Sequence, residues 1–175
     1  MELKMSRDAL EQILKQRLFG RPDGRFYLKG DAQSVCPVYV EQPELRFDGE
    51  RVVVRVKVQA KLGKAIAGKC IGISLSPFAE LSVVPDAEGE TIGFRDARVE
   101  RVSDSKELNF LLMPFLHDKI PSSLKLNAAN MLRKTLDGFA LKIGYKVALD
   151  RLQIHSMAIQ DDALVVNVDG DLSVK

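Results

Sequence analysis

Arg51-Val52-Val53-Val54-Arg55-Val56-Lys57-Val58-Gln59-Ala60-Lys61 is the stretch that decides the fold. Val52, Val54, Val56, Val58 and Ala60 take one side of the chain; Arg51, Arg55, Lys57, Gln59 and Lys61 take the other, with Val53 the exception. Successive side chains on a strand point to opposite faces, so this is one long strand with an apolar face and a charged face. Just upstream, Leu45-Arg46-Phe47-Asp48-Gly49-Glu50 contains Asp-Gly, a favoured pair for a two-residue turn with positive φ. Closing a hairpin on Asp48-Gly49 sets Phe47 opposite Glu50 and Leu45 opposite Val52, which keeps the apolar positions on one side. A one-sided antiparallel sheet of this kind needs an apolar cover, either a helix or a ligand.

Outward from this strand, Met1 to Met5 reads as a short strand entering a helix. Ser6 is its N-cap, and Leu10, Ile13, Leu14 and Leu18 form its stripe. Gly20 and Pro22-Asp23-Gly24 stop the helix. Strands are predicted at 25–30, 38–47, 50–61, 70–76, 79–84 and 90–101, with Pro85 to Gly89 as a turn. The period then changes. Asp104 with Glu107 resembles a capping box, and Leu108, Leu111, Leu112, Phe115 and Leu116 follow at helical spacing, with Pro114 placed to kink or end the helix. A second helix is predicted from Ser122 or Ser123, with Leu124, Ala128, Met131, Leu132, Thr135 and Phe139 on one side and Gly138 finishing it. Strands return at 147–159 and 163–174. The order is that of an α+β protein, and helices at both ends of a long strand run suggest a curved antiparallel sheet wrapped around helices.

A chain of 175 residues is expected to form a single domain, residues 1–175, with an ample core. Hydrophobic content of 46% with 29% charged residues is ordinary for a globular protein. The longest apolar run, Phe110 to Leu116, is seven residues, far short of the ~18 that a membrane-spanning helix needs. Net charge is +2, made of +5 over residues 1–69 and −3 over the rest. Much of the basic excess is the wet face of the 51–61 strand, continued by Lys64 and Lys69. That face is read first as solvated and unfavourable to edge pairing, and second as a contact surface for an anionic membrane. Nucleic acid is not expected: the chain has no Trp and no interleaving of aromatic and basic residues.

Motifs of catalysis are sparse. Gly63-Lys64-Ala65-Ile66-Ala67-Gly68-Lys69-Cys70 fits a phosphate loop until its last position, where Ser or Thr must bind magnesium. It follows a one-sided strand and precedes no helix, so it is read as a crossing between strands. Ser103-x-x-Lys106 and Ser122-x-x-Lys125 match a penicillin-binding pattern, but no Lys-Thr-Gly strand follows, and both serines are read as caps. His117 and His155 stand apart, and the two cysteines, Cys36 and Cys70, form no metal spacing with them. No nucleophile, base and oxyanion donor come together, so neither an enzyme nor a cofactor or metal is expected. The cysteines, 34 residues apart, are either two buried thiols or a disulfide worth about 3.8 kcal/mol on the chain-entropy model. The helix over 104–117 adds Phe110 and Met113 opposite its stripe. A helix apolar all round is either sandwiched in the sheet or lines a cavity for a hydrophobic ligand.

The opening Leu3-Lys4-Met5-Ser6 strand and helix, the long alternating strands, the two helices after residue 104 and the closing Ile159 to Val168 pair resemble the YceB-type bacterial envelope lipoproteins. These are relatives of the tubular lipid-binding superfamily that includes bactericidal permeability-increasing protein. The resemblance spans nearly the whole chain and rests on element order. It implies a half-barrel around a helix with a lipid or hydrophobic small molecule between them, export to the periplasm, and with it a Cys36–Cys70 disulfide. It supplies no catalytic residues. No lipobox cysteine precedes Glu2, so lipid anchoring is not implied. On this basis Val54, Val56, Phe110, Leu111, Met113, Phe115, Met131 and Phe139 are the expected ligand-binding residues, with Val52, Val58, Leu164, Val166 and Val168 completing the concave sheet wall. The alternative is a cell-envelope interaction module with a filled core and no pocket.

Overall fold

The computed structural model describes every residue from Met1 to Lys175. Elements run β1 (Glu2–Ser6), α1 (Arg7–Leu18), β2 (Arg25–Lys29), β3 (Val38–Asp48), β4 (Arg51–Ile66), β5 (Lys69–Leu75), β6 (Phe78–Glu88), β7 (Thr91–Arg101), α2 (Lys106–Pro114), α3 (Ile120–Leu124), β8 (Leu126–Asn127), α4 (Ala128–Ile143), β9 (Val147–Gln160) and β10 (Ala163–Val174). The protein is α+β, with a strongly curled antiparallel half-barrel sheet. Its larger sheet has the order β2-β3-β4-β6-β7-β8, with β5 paired to β4 alone, and a smaller one has the order β1-β10-β9. The amide of Ile154 on β9 donates to the Gly89 carbonyl in the β6–β7 turn at 3.0 Å, linking the two.

β4 is the spine. Val52, Val54, Val56 and Val58 are fully buried on its concave side, as the alternation requires. Its first half pairs with β6 and its second half with β5, on the same edge. The β3–β4 turn falls at Gly49-Glu50, not Asp48-Gly49, and aligns Phe47 with Val52 and Leu45 with Val54. Glycine supplies the positive φ (58°) at the first turn position. The predicted pairing is off by two residues, and because strand faces alternate with period two, the apolar face survives the error. The expected turn at Pro85 to Gly89 is mostly strand: β6 runs to Glu88 and turns at Gly89-Glu90. Past Val83, β6 pairs only with β7, so Pro85 lies where one edge is free.

α1 begins as expected, with the Ala9 amide donating to Ser6 Oγ at 3.1 Å and Leu10 and Leu14 buried. The second helical region departs from expectation. Ser105, not Asp104, caps α2 by accepting from the Leu108 amide at 3.3 Å. Pro114 does not end the helix; a π-helical turn, Phe115–Lys119, follows it and leads directly into α3. Proline lacks the donor an α-turn needs, and a wider turn absorbs the mismatch. Ser122 and Ser123 therefore sit inside α3. Helix α4 starts instead at Asn127, whose side chain accepts from the Asn130 amide at 2.8 Å, and ends at Gly144 (φ 76°). Gly138 lies within it.

One core cluster of 31 buried residues joins these elements. The larger sheet is filled: α1 supplies Leu10 and Leu14, and the 106–124 run supplies Leu108, Leu112, Phe115, Leu116, Ile120 and Leu124, all buried. Phe115 packs on Phe26 and Phe19, with ring centroids 5.0 and 6.3 Å away. The smaller sheet contributes Leu149, Leu152, Ile154, Leu164, Val166 and Val168, and α4 lies over it.

Candidate functional site

The cover provided by α4 is partial. Only Ala128 and Ala129 of its residues are buried, while Leu132 and Leu136 are half-buried against the core. The neighbouring i, i+4 row Met131, Thr135 and Phe139 projects beside that seam. Between this row and the N-terminal strand lies an apolar groove of about 230 Å³. Its sheet wall is Leu3 and Met5 of β1 with Val166 of β10, its end is Ile92 of β7, and its helical wall is Ala128, Met131 and Leu132. Leu3 pairs with Val166 and Met5 with Leu164, so the apolar parity of β1 is fixed by its register on β10.

Two polar groups border the groove, Lys4 and Thr135. Lys4 points to the other face of β1 from Leu3 and Met5 and pairs with Glu2 at 3.4 Å. Thr135 bonds back to the Met131 carbonyl at 3.1 Å, which leaves its methyl to the groove. The perturbed carboxylates are elsewhere. Hydrogen bonding from Arg51 holds the Asp96 carboxyl below its ordinary 3.8, on the outer side of the larger sheet. Asp23 is likewise lowered; burial opposes the shift, but bonds from the Arg25 amide and Tyr27 hydroxyl outweigh it. The groove can hold an apolar chain by contact and has no acid–base machinery of its own.

The expected ligand residues do not share one surface. Val54, Val56 and Phe115 are sealed in the core beneath α1 and the 106–124 run, and Val52 and Val58 with them. Leu164, Val166 and Val168 belong to the other sheet, and of these Val166 lines the groove. Met131 lines it too, and Phe139 lies two i, i+4 steps further along α4, 53% exposed. Phe110, 81% exposed, and Met113 face outward, so α2 is not buried all round; Leu111 and Phe110 border open depressions against β2. Leu3 and Met5 were missed. Their alternation is legible, but five residues say nothing about which distant strand they join.

Cys36 and Cys70 form a disulfide with Cα atoms 5.2 Å apart, tying the β4–β5 hairpin to the loop before β3. The Gly63 to Cys70 segment is that hairpin, with Ala67 and Gly68 at positive φ in its turn, and not a crossing. Ser103 is held in a turn by Asn109, whose Oδ1 accepts from Ser103 Oγ at 2.8 Å. His155 is exposed, 3.7 Å from Asp169.

No protein-family model matches the chain, and no curated protein sequence does. Among solved structures the chain is similar to a lipopolysaccharide binding protein, at 12% identity and a TM-score of 0.37. The match covers 98% of this chain and 50% of that one, so the chain spans about half the length of that protein. No helix is long and apolar enough to cross a membrane.

Proposed function

We propose that the protein binds a lipid or another elongated hydrophobic molecule in the groove between α4 and the β1–β10 pair, without chemistry on it. The observation that carries this reading is the partial seating of α4, which leaves an apolar seam lined by seven hydrophobic residues. As it stands the groove is smaller than the ~300 Å³ of a typical small-molecule site. It therefore shelters a segment of one apolar chain, and the exposed Met131–Phe139 row extends the contact. Each sheltered methylene contributes about 0.8 kcal/mol, so affinity grows with chain length and not with headgroup chemistry.

Residence in the periplasm, or another oxidising compartment, is part of the proposal, supported by the Cys36–Cys70 disulfide. So is kinship with the YceB-type envelope lipoproteins, supported by element order: strand and helix, strand run, helices, closing strand pair. The filled interior of the larger sheet favours the interaction-module alternative for that half alone.

The test is lipid extraction and native mass spectrometry of the purified protein, followed by titration of the stripped protein with a fluorescent fatty acid. Co-purified lipid and saturable binding are expected. The chain has no Trp, so Thr135→Trp both fills the groove and reports on it; affinity should drop at least tenfold. Equal binding by the variant, or no binding by either protein, overturns the proposal.

A further inference from the structure

The β4–β5 hairpin leaves the body of the fold. β5 pairs with β4 alone, through the register Leu62–Ile73, Lys64–Ile71 and Ile66–Lys69. Directly opposed residues share a face, so these six form one surface. Near its root Leu62 is 8% exposed, but Ile66, Ile71 and Ile73 are 56%, 56% and 59% exposed. The opposite face is nearly bare there. A Cβ at Gly63 would meet the Ile71 carbonyl oxygen at 2.0 Å, and one at Gly72 would meet the Leu62 oxygen at 1.9 Å, so both positions need glycine. Three large aliphatic side chains along a protruding hairpin carry the free-energy cost of apolar surface in water, which burial against a partner would remove.

The charge around them selects that partner. Between Glu50 and Glu80 the chain carries Arg51, Arg55, Lys57, Lys61, Lys64 and Lys69 and no acidic residue. Lys61, Lys64 and Lys69 are exposed, and none has a carboxylate within 4.0 Å. The same side continues onto the depression where Leu62 meets Phe110, flanked by Lys29 and Lys106 with Glu107 as its one acid. A second copy would bring the same uncompensated cations to the contact. A bilayer with anionic headgroups instead takes isoleucine below the headgroups and lysine among them.

We propose that the tip of the β4–β5 hairpin, with Phe110 beside its root, docks on an anionic lipid membrane. The surface is separate from the α4 groove, and docking does not depend on a ligand there. The disulfide at Cys70, which pairs across the hairpin with Ala65, ties the arm close to its tip to the loop before β3, so the tip meets the membrane as a fixed projection.

Vesicle co-sedimentation tests this, with phosphatidylglycerol–phosphatidylcholine vesicles set against phosphatidylcholine alone. Binding is expected only with the anionic lipid and should weaken as salt rises. Lys64→Gln with Lys69→Gln should weaken it roughly 25-fold, at about fivefold per lysine. Ile66→Ser with Ile71→Ser should cost at least about tenfold. Both pairs lie at an exposed tip, and circular dichroism checks that they fold. Ile66→Trp should shift to the blue and be quenched by brominated lipid, while Thr135→Trp should dock like the unaltered chain, which separates this surface from the groove. Equal binding to both vesicle types, or unchanged binding by both double variants, overturns the proposal. So does a lipid-free dimer that the isoleucine variant abolishes.

Discussion

The two sheets meet the same physical demand, an apolar concave face, and satisfy it differently. The larger sheet is closed by side chains reaching inward from α1 and the 106–124 run, and its valine row has no exposure. The smaller sheet is covered by α4, which buries two alanines and leaves a seam. Small residues bring the start of α4 close to the sheet, and the longer Met131–Phe139 row beyond them stands clear. Curvature alone therefore does not open a groove; the seating of the covering helix does.

Substitutions should separate the two halves by size of effect. Phe115→Ala, in the filled half, should cost about 3–5 kcal/mol in urea unfolding, because the Phe19 and Phe26 rings lose their partner and a cavity is left between them. A cost below that of a groove substitution would break the contrast. Replacing both Cys36 and Cys70 by Ser should cost about 2–4 kcal/mol and leave fatty-acid affinity unchanged, since the bridge braces the larger sheet's arm. Met131→Ala should cost at most about 1 kcal/mol, because the side chain is already 41% exposed, yet it should weaken fatty-acid binding several-fold. Hydrogen exchange sharpens the same point. Amides in the second half of α4 should exchange faster than those of α2 and slow on ligand addition, as few buried contacts hold them.

The smallest effect concerns pH. The Arg51 guanidinium stabilises the ionised Asp96 carboxyl, whose native value is depressed from 3.8. The native state thus binds this proton more weakly than the unfolded chain. Its contribution is whole above 3.8 and is lost as pH falls through the depressed value. Asp96→Asn should lower the urea midpoint slightly at neutral pH and not in the acid limb; asparagine tolerates the positive φ (53°) at this position.

Much of the larger sheet was legible because its signals are local. Alternation in β4 set the buried face, Ser6 set the start of α1, and Gly and Pro marked most boundaries. Legibility failed where local signals conflict. Pro114 reads as a kink or a stop, but the following turn widens and the helix goes on. Phe110 and Met113 read as a second apolar face, sandwiched or lining a cavity, but both face outward. In the candidate site Met131 and Val166 were visible as apolar positions on their elements, whereas Leu3 and Met5 were not visible as its wall.

By itself the sequence determined where most of the strands lie, which side of β4 is dry, and where the charge collects. These follow from side-chain periodicity and turn chemistry within a few residues. Only the tertiary structure decided that β1 pairs with β10 across the length of the chain, that the helical run fills one half, and that α4 leaves the other ajar. Those outcomes depend on how well two distant surfaces fit, a property of packed volumes that no local pattern carries.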